Sequence, residues 1–319
     1  MKPLLSIVTP CHNSSTFVFR LLDSVLMQTY PNVEMVMIDN ASADNTKEII
    51  LSYIPKFQAK GYSLIYHRQV DMGPSGGLKA GLRFIHGEFL TFPDSDDYYA
   101  RPDALEIMAD KLESLSNDFA IVRCQIQKID DHTMQPCGIF GENVKEGDSP
   151  GLFEDCLYNR NGYYYVNIGY LMKVSDLREF VGLDFYTAYN VGPGRQIYCP
   201  LYFSKKCYTI KGVLSNYLVR KNSISHGDYA KYQVRKSLYE QDLKYFEGVM
   251  APIHNLPPKK KREYKRIFMY EESMSIANLA NLYNRSDFWK YRVIAIRYSN
   301  HPIREFLTLF KMCLKSMLT

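Results

Sequence analysis

LLSIVTP, residues 4–10, is a continuous apolar run rich in β-forming side chains. A run without polar alternation is typical of a strand buried on both faces, as in a parallel sheet. We predict that it is the first of four strands of one sheet. The others are VEMVMID (33–39), YSLIYHR (62–68) and EFLTFPD (88–94).

The segments between these strands have the length and pattern of helices. A first helix is predicted to begin at Asn13 or Ser14 and to end before Tyr30. Further helices are predicted over about 44–54, 75–86 and 103–115, and a further strand over 119–129. Strands that alternate with helices at this spacing indicate right-handed βαβ units. The predicted class is therefore α/β, with a mostly parallel sheet flanked by helices. In such sheets the ligand crevice lies beyond the carboxyl ends of the strands.

The rest of the chain is predicted to extend this domain and to add a helical region. Residues 130–165 are rich in Gly, Pro, Asn and Asp, and we predict a long insertion or acceptor loop there. From about residue 228 the pattern is helical to the end. We therefore predict a domain over 1–227 and a helical region over 228–319.

Composition places the chain among folded globular proteins. Its 319 residues are 46% hydrophobic and 23% charged, and 39 Lys and Arg against 34 Asp and Glu leave a formal charge of +5. This charge suits an anionic substrate or membrane surface and does not indicate nucleic acid. Seven cysteines without zinc-ligand spacing predict reduced thiols in a cytoplasmic chain. The N-terminus has the pattern of a first strand, not of a secretion signal.

Three aspartates follow the fourth predicted strand: Asp94, Asp96 and Asp97. Carboxylates this close repel one another by roughly 1 kcal/mol or more per pair at intermediate dielectric, so the group needs a cation. Ligands that are all oxygen favour a hard ion such as Mg²⁺ or Mn²⁺. The alternative is an acidic turn in which Asp97 or Asp103 caps the following helix.

Two other features belong to the same predicted sheet edge. Asp39 ends the second strand, where a carboxylate beside a tight turn can contact a base or a ribose. An Asx turn with Ser42 is the alternative. The glycine-rich segment 71–82 leads into the helix that carries Lys79, which predicts an anion site. An exposed helix lysine is the alternative there.

Taken together, these residues resemble the pattern of glycosyltransferase family 2 on a GT-A fold, over about residues 4–105. Each motif alone is weak, and the ordered set is specific. In chain order the matching residues are Thr9-Pro10-Cys11-His12-Asn13, Ser24, Gln28-Thr29-Tyr30, Asn32, Glu34, Asp39-Asn40-Ala41-Ser42-Ala43-Asp44, Gly73, Ser75, Gly81, Gly87-Glu88-Phe89 and Asp94-Ser95-Asp96-Asp97.

The resemblance implies transfer of a sugar from a nucleotide-diphosphate sugar, with UDP as the expected nucleotide, to an acceptor hydroxyl. It implies a metal-dependent, inverting reaction on a glycan or lipid-linked acceptor, in bacterial surface polysaccharide synthesis. By the same resemblance, residues 1–227 are expected to form the catalytic domain. Residues 1–102 are its nucleotide-binding half, and residues 103–227 are its acceptor-side half. Asp94, Asp96 and His226 are expected to hold Mn²⁺ or Mg²⁺. The residues expected to bind the donor are Thr9, Pro10, Asn13, Asp39, Asn40, Lys79, Asp94, Ser95 and Arg220.

One family feature is missing, an acidic pair at the start of a helix whose Asp serves as the base. Its expected place holds Arg195 and Gln196, and an amide does not titrate in the needed range. Asp97 and Asp184 are the alternative bases, and Gln196 is expected to hold the acceptor or the donor sugar by hydrogen bonds. The same gap leaves a non-catalytic nucleotide-sugar-binding or scaffold protein as a second hypothesis.

The last segment, 301–319, has the spacing of a basic amphipathic helix. Arg304, Lys311 and Lys315 lie outside its apolar face. Such a helix either lies on an anionic membrane, here the inner face of the cell membrane, or packs on the catalytic domain or in a homodimer. The residues of the apolar face are Ile303, Phe306, Leu307, Phe310, Leu314 and Met317.

Overall fold

The computed structural model of the chain describes residues 1–187, 191–220, 232–239 and 241–317. The chain divides into two compact units, Met1–Arg220 and Lys221–Thr319. The first unit carries the sheet, and the described elements of the second are helices. The boundary predicted after residue 227 falls in 221–231, which lies outside the described residues.

The first unit begins with the predicted parallel βαβ units. Strands and helices alternate along the chain as β1 (Leu5–Cys11), α1 (Val18–Leu26), β2 (Val33–Asn40), α2 (Thr46–Ala59), β3 (Ser63–Gln69), α3 (Gly73–Gly81) and β4 (Phe89–Thr91). The strands lie side by side in the order β3-β2-β1-β4 and all run parallel. Every residue of β2 is buried, as expected of a strand covered on both faces. The predicted α/β sheet is therefore confirmed.

The second half of the sheet mixes strand directions. Its elements are β5 (Tyr98–Tyr99), α4 (Ala104–Ser114), β6 (Phe119–Asp130), β7 (Pro136–Phe140), β8 (Gly147–Asp148), α5 (Leu152–Tyr158), β9 (Tyr170–Lys173), α6 (Val174–Phe180), α7 (Gly194–Ser204) and β10 (Lys206–Val219). β9 is antiparallel to both β4 and β6, and β10 is parallel to β6. The segment 130–165, predicted as a long insertion or acceptor loop, is not a continuous loop, because it contains β7, β8 and α5.

Two glycines let α3 approach the ends of β1 and β2. A Cβ on Gly81 would lie 2.3 Å from a methyl carbon of Val8. A Cβ on Gly77 would lie 2.7 Å from Cβ of Pro10 and 2.9 Å from the side-chain Nδ2 of Asn40. Larger side chains would push the helix away, so these glycines hold α3 against the sheet edge.

The second unit contains α8 (Tyr232–Tyr239), α9 (Asp242–Met250), α10 (Pro258–Tyr283), α11 (Arg285–Tyr298) and α12 (Pro302–Met317). Its apolar core joins α8, α10 and α11 through Tyr232, Ile276, Ala280, Phe288 and Tyr291. Among the described residues, no helix is both long and apolar enough to span a membrane.

Candidate active site

The carboxyl ends of β1, β2 and β4 meet at one edge of the sheet. Cys11 at the end of β1 pairs with Asp39 near the end of β2, and Ile7 of β1 pairs with Thr91, the last residue of β4. Pro93 has no N–H to continue a strand ladder, and β4 ends three residues before Asp94. The predicted meeting of Asp39 and the aspartates at one sheet edge is therefore observed.

The aspartate loop (residues 94–97) is tied to the loop that follows β1. Ser95 Oγ lies 2.8 Å from Ser14 Oγ, within hydrogen-bonding distance, and both side chains are buried. The N–H of Asp97 donates to the carbonyl of Asp94 over 3.2 Å, which closes a turn. These bonds fix the backbone from which the three carboxylates project.

Arg220, the residue after β10, supplies a cation to this loop. Its Nε donates to Oδ2 of Asp96 over 2.7 Å, and its Nη2 lies 2.5 Å from the same oxygen. Asp97 is fully buried, and its Oδ1 accepts a bond from the N–H of Leu218 over 3.3 Å. Oδ2 of Asp97 has no hydrogen-bond partner among the described residues.

Burial and mutual repulsion raise two pKa values in the aspartate loop. Burial is the larger cause for Asp94 and the Asp96 carboxylate adds to it, so the pKa of Asp94 rises to about 7. Arg220 and a hydrogen bond from Asn167 act in the opposite direction. Burial also raises the pKa of Asp97 well above its usual range, with contributions from Asp96 and Asp94. The ionised forms of Asp94 and Asp97 are therefore destabilised, and a further cation near the loop would stabilise them.

Asp39 is fully buried, and both of its oxygens have partners. Oδ1 accepts from the N–H of Ser42 over 2.8 Å, and Oδ2 accepts from the hydroxyl of Tyr66 over 2.6 Å. Nη1 of Arg68 lies 3.6 Å from Oδ2. The bond to Ser42 is the Asx turn considered as the alternative for this residue. Asp39 therefore stabilises the turn after β2.

Asn13, Asn40 and Thr9, three further residues expected to bind the donor, differ in their bonding. Asn13 has a positive φ of 49°, and its Oδ1 accepts from the N–H of Ala43 over 2.8 Å. Nδ2 of Asn40 donates to the carbonyl of Gly73 over 3.1 Å. Oγ1 of the buried Thr9 has no hydrogen-bond partner among the described residues. The two asparagines hold loops together, whereas the threonine hydroxyl keeps its bonding capacity.

Lys79 and Asp184 contact each other. Nζ of Lys79 donates to Oδ1 of Asp184 and, over 3.3 Å, to the carbonyl of Phe185. The side chain of Asp184 is 95% exposed, and the hydrogen bond from Lys79 lowers its pKa. Lys79, the predicted anion contact, and Asp184, one of the predicted bases, are therefore partners in an exposed ion pair.

Gln196 lies in the first turn of α7 and is 1% exposed. Its Nε2 donates to the carbonyl of Tyr186 over 2.7 Å, which fixes the orientation of the amide. Its Oε1 is buried and has no hydrogen-bond partner in the described part of the chain. This oxygen is a free acceptor of the kind that binds a hydroxyl group.

Sequence reasoning missed Asn167, which contributes to the aspartate loop from a distant segment. Its side chain donates to Asp94 and accepts from the hydroxyl of Tyr198 over 3.2 Å. The ring of Tyr198 stacks on Phe92, with centroids 5.8 Å apart. In the sequence, the signal for this residue was a lone asparagine within an apolar and aromatic stretch. His226, a predicted metal ligand, lies outside the described residues.

The chain belongs to glycosyltransferase family 2. The family model described as Glycosyl transferase family 2 matches residues 6–175. An uncharacterised glycosyltransferase of Rickettsia typhi is 32% identical over 129 residues, which cover 40% of this chain and 38% of that protein. Glycosyltransferase GlyA of Streptococcus pneumoniae is 29% identical over 117 residues, 37% of this chain and 16% of that protein. The chain thus matches less than half the length of either relative.

Solved structures of similar fold cover nearly the whole chain. S. aureus TarS 1–349, in complex with UDP-GlcNAc, gives a TM-score of 0.66 at 17% identity, over 95% of this chain and 81% of that chain. Mannosyltransferase PcManGT from Pyrobaculum calidifontis, in complex with GDP-Man and Mn²⁺, gives a TM-score of 0.57 at 16% identity. The match covers 99% of this chain and 88% of that chain. At these identities the likeness concerns the fold, and the predicted GT-A fold is confirmed.

Proposed function

We propose that the protein transfers a sugar from a nucleotide-diphosphate sugar to an acceptor hydroxyl. The observation that carries the proposal is the aspartate loop at the carboxyl edge of the sheet, where Arg220 offsets part of a buried negative charge. Family membership supports the same reaction class. Thr9, near the end of β1, has a buried hydroxyl without a hydrogen-bond partner among the described residues. Sheets of this kind bind nucleotides beyond the carboxyl ends of their strands, which supports a role for Thr9 in donor binding.

A divalent ion fits the chemistry of the aspartate loop. The donors are carboxylate oxygens, which Mg²⁺ and Mn²⁺ prefer. Among the described residues, however, no three His, Cys, Asp or Glu side chains are close enough together to hold a metal ion. Mg²⁺ sites commonly use one or two carboxylates and complete the shell with water and substrate phosphate. We therefore propose Asp96 and Asp94 as the ligands. When bound, the ion would offset charge on the leaving diphosphate.

The protein groups then have separate tasks. Thr9 and Pro10 lie at the end of β1, where they are proposed to line the nucleoside pocket. Arg220 carries a charge suited to the phosphates, although Asp96 now holds it. Oε1 of Gln196 is proposed to accept a bond from a sugar hydroxyl. Each of these contacts would position the donor for attack by the acceptor.

The donor and the acceptor are proposed at the level of class. TarS was solved with UDP-GlcNAc and PcManGT with GDP-Man, which supports a nucleotide-diphosphate sugar, and we propose UDP as the nucleotide. By analogy with the family, the acceptor is proposed to be a glycan or a lipid-linked glycan of a bacterial surface polysaccharide, and the two sequence relatives described above come from bacteria. An inverting reaction in the cytoplasm is part of the same proposal.

Thermal unfolding with a panel of nucleotide sugars, in Mn²⁺ and in EDTA, tests the proposal. A matching donor at about 100 times its Kd raises the unfolding free energy by about 2.7 kcal/mol. We expect this shift in Mn²⁺, a much smaller shift in EDTA, and loss of the metal effect in Asp96→Asn. Asp103→Asn, at a partly exposed aspartate paired with Arg101, is the matched control. No shift with any donor, with or without metal, would overturn the proposal.

A nucleotide-sugar-binding protein without turnover is the second candidate. The observation that favours it is Gln196, which occupies the place where the family pattern has an acid and is held by the carbonyl of Tyr186. Donor hydrolysis or transfer separates the two functions. Binding of UDP with Mn²⁺ and no turnover with any donor and acceptor would favour the binding protein.

A further inference from the structure

The last helix of the second unit packs through the face that carries Glu305 and Leu309. Oε1 of Glu305 accepts from the hydroxyl of Tyr270 on α10 over 2.8 Å, and Oε2 accepts from Nη2 of Arg292 on α11 over 3.2 Å. Leu309, four residues later on α12, is 6% exposed. Residues four apart share one face of a helix, so this face of α12 lies against α10 and α11.

The apolar stripe of α12 consists of Ile303, Phe306, Leu307 and Phe310, and it faces away from α10 and α11. These four side chains are between 52 and 76% exposed. Their spacing of i, i+3, i+4 and i+7 places them on one side of the helix. Surface helices ordinarily bury such a stripe, and a contiguous exposed one marks an interaction site.

Positive charge flanks the apolar stripe. Arg304 and Lys311 are exposed and seven residues apart, so they project from the same side of α12, next to the stripe. The charge of the whole unit has the same sign, because residues 221–319 carry 18 Lys and Arg against nine Asp and Glu. Residues 1–220 carry 21 Lys and Arg against 25 Asp and Glu.

We propose that α12 lies on an anionic lipid bilayer, with the apolar stripe in the interface and Arg304 and Lys311 at the headgroups. Apolar burial and attraction of cations to anionic lipid are the two contributions that bind such helices to membranes. A second copy of the chain is the less suitable partner. Pairing two stripes would bring two positively charged units together, and like charges across an interface oppose association.

Co-sedimentation of the full chain with lipid vesicles tests the surface, and it needs neither donor nor turnover. We expect binding to vesicles of equal parts phosphatidylcholine and phosphatidylglycerol, and weak binding to phosphatidylcholine alone. The double variant Phe306→Ser, Phe310→Ser is expected to lower the partition coefficient at least about tenfold. The matched control Leu51→Ser, Val70→Ser removes exposed apolar side chains from the first unit and is expected to bind normally.

A second pair of variants tests the charged flank. Arg304→Glu with Lys311→Glu is expected to lower binding to the anionic vesicles about fivefold or more. Lys259→Glu with Lys260→Glu makes the same charge change at exposed positions on α10 and is expected to have a smaller effect. Equal losses for the two pairs would overturn the assignment to α12.

Two other outcomes would also overturn the proposal. One is the absence of vesicle binding by the unaltered chain. The other is a dimer in sedimentation velocity that the Phe306→Ser, Phe310→Ser variant converts to a monomer, without vesicle binding in either form. That result would assign the stripe to a second copy of this chain. Neither outcome bears on the proposed sugar transfer, which is measured separately.

Discussion

Two nitrogens of Arg220 contact the same carboxylate oxygen of Asp96. Nε donates to Oδ2 over 2.7 Å, and Nη2 lies 2.5 Å from it. The guanidinium also lies over the ring of Phe17, with its central carbon 4.3 Å from the ring centroid. Because Asp94 and Asp97 share the loop with Asp96, this one fixed cation favours the charged forms of three neighbouring carboxyl groups.

Replacing Arg220 by methionine is expected to lower the unfolding free energy by about 1–3 kcal/mol at pH 7, because the carboxylates lose this charge. Mn²⁺ is expected to restore part of the loss, since it supplies charge to the same loop. Urea unfolding in EDTA and in Mn²⁺ measures both effects. Arg101→Met is the control, because Arg101 pairs with Asp103 at the surface and is expected to contribute less than about 1 kcal/mol. Equal losses in the two variants would contradict this role.

The raised pKa of Asp94 predicts a pH dependence of stability. The folded protein keeps a proton on Asp94 up to about pH 7, whereas the unfolded chain releases it near the ordinary value of 3.8. The folded state therefore binds more protons in this window, and the contribution of Asp94 to stability falls as pH rises through it. For one group the slope is at most about 1.4 kcal/mol per pH unit.

The Asp94→Asn variant isolates this effect. We expect the difference in unfolding free energy, variant minus unaltered protein, to grow between pH 4 and about pH 7 and then to level off. Urea unfolding across this range in metal-free buffer measures it. Asp118→Asn, at an exposed position, controls for general effects of losing a carboxylate. A difference that stays constant with pH would show that Asp94 has an ordinary pKa in the folded protein.

The sheet edge was predictable from sequence because it depends on local patterns. Apolar runs mark the strands, and parallel strands bring Asp39 and the aspartate loop to one edge. The partners of these residues were not predictable in the same way. Tyr66 binds Asp39 from 27 positions away, and Lys79 binds Asp184 from 105 positions away. No local spacing links such pairs, because the fold brings them together.

Asp39→Asn is expected to lower the unfolding free energy by about 1–3 kcal/mol without any ligand, because the carboxylate accepts bonds from Ser42 and Tyr66 and lies near Arg68. Tyr66→Phe removes one of these bonds and is expected to cost about 1 kcal/mol. Urea unfolding of the ligand-free variants measures both. If Asp39→Asn weakened UDP binding and left the unfolding free energy unchanged, Asp39 would be a ligand contact and not a structural residue.

Asp184→Asn is expected to change kcat by less than about threefold, because an exposed carboxylate paired with Lys79 is a weak base. A general base works best with a pKa near the working pH, and Lys79 moves the pKa of Asp184 in the opposite direction. Removing a true base costs about 100-fold to 10,000-fold. Initial rates of donor turnover measure the effect. A loss of that size with unchanged stability would identify Asp184 as the base.

Gln196→Met separates recognition of the sugar from recognition of the nucleotide. Methionine has a similar length and lacks the acceptor Oε1, which is buried in the first turn of α7 without a hydrogen-bond partner among the described residues. We expect UDP to bind with nearly unchanged affinity and the kcat/KM for transfer to fall about tenfold, the value of one hydrogen bond. Calorimetry with UDP and kinetics with the donor measure the two quantities.

The loss of the bond to Tyr186 in the same variant calls for a control. Gln196→Glu keeps an acceptor oxygen at this position and also removes the donor to that carbonyl. If Oε1 binds the sugar, the glutamate variant retains more of the kcat/KM than the methionine variant at equal folded fraction. Equal kinetic losses in the two variants, or equal losses of affinity for UDP and for the nucleotide sugar, would instead assign Gln196 to the support of α7.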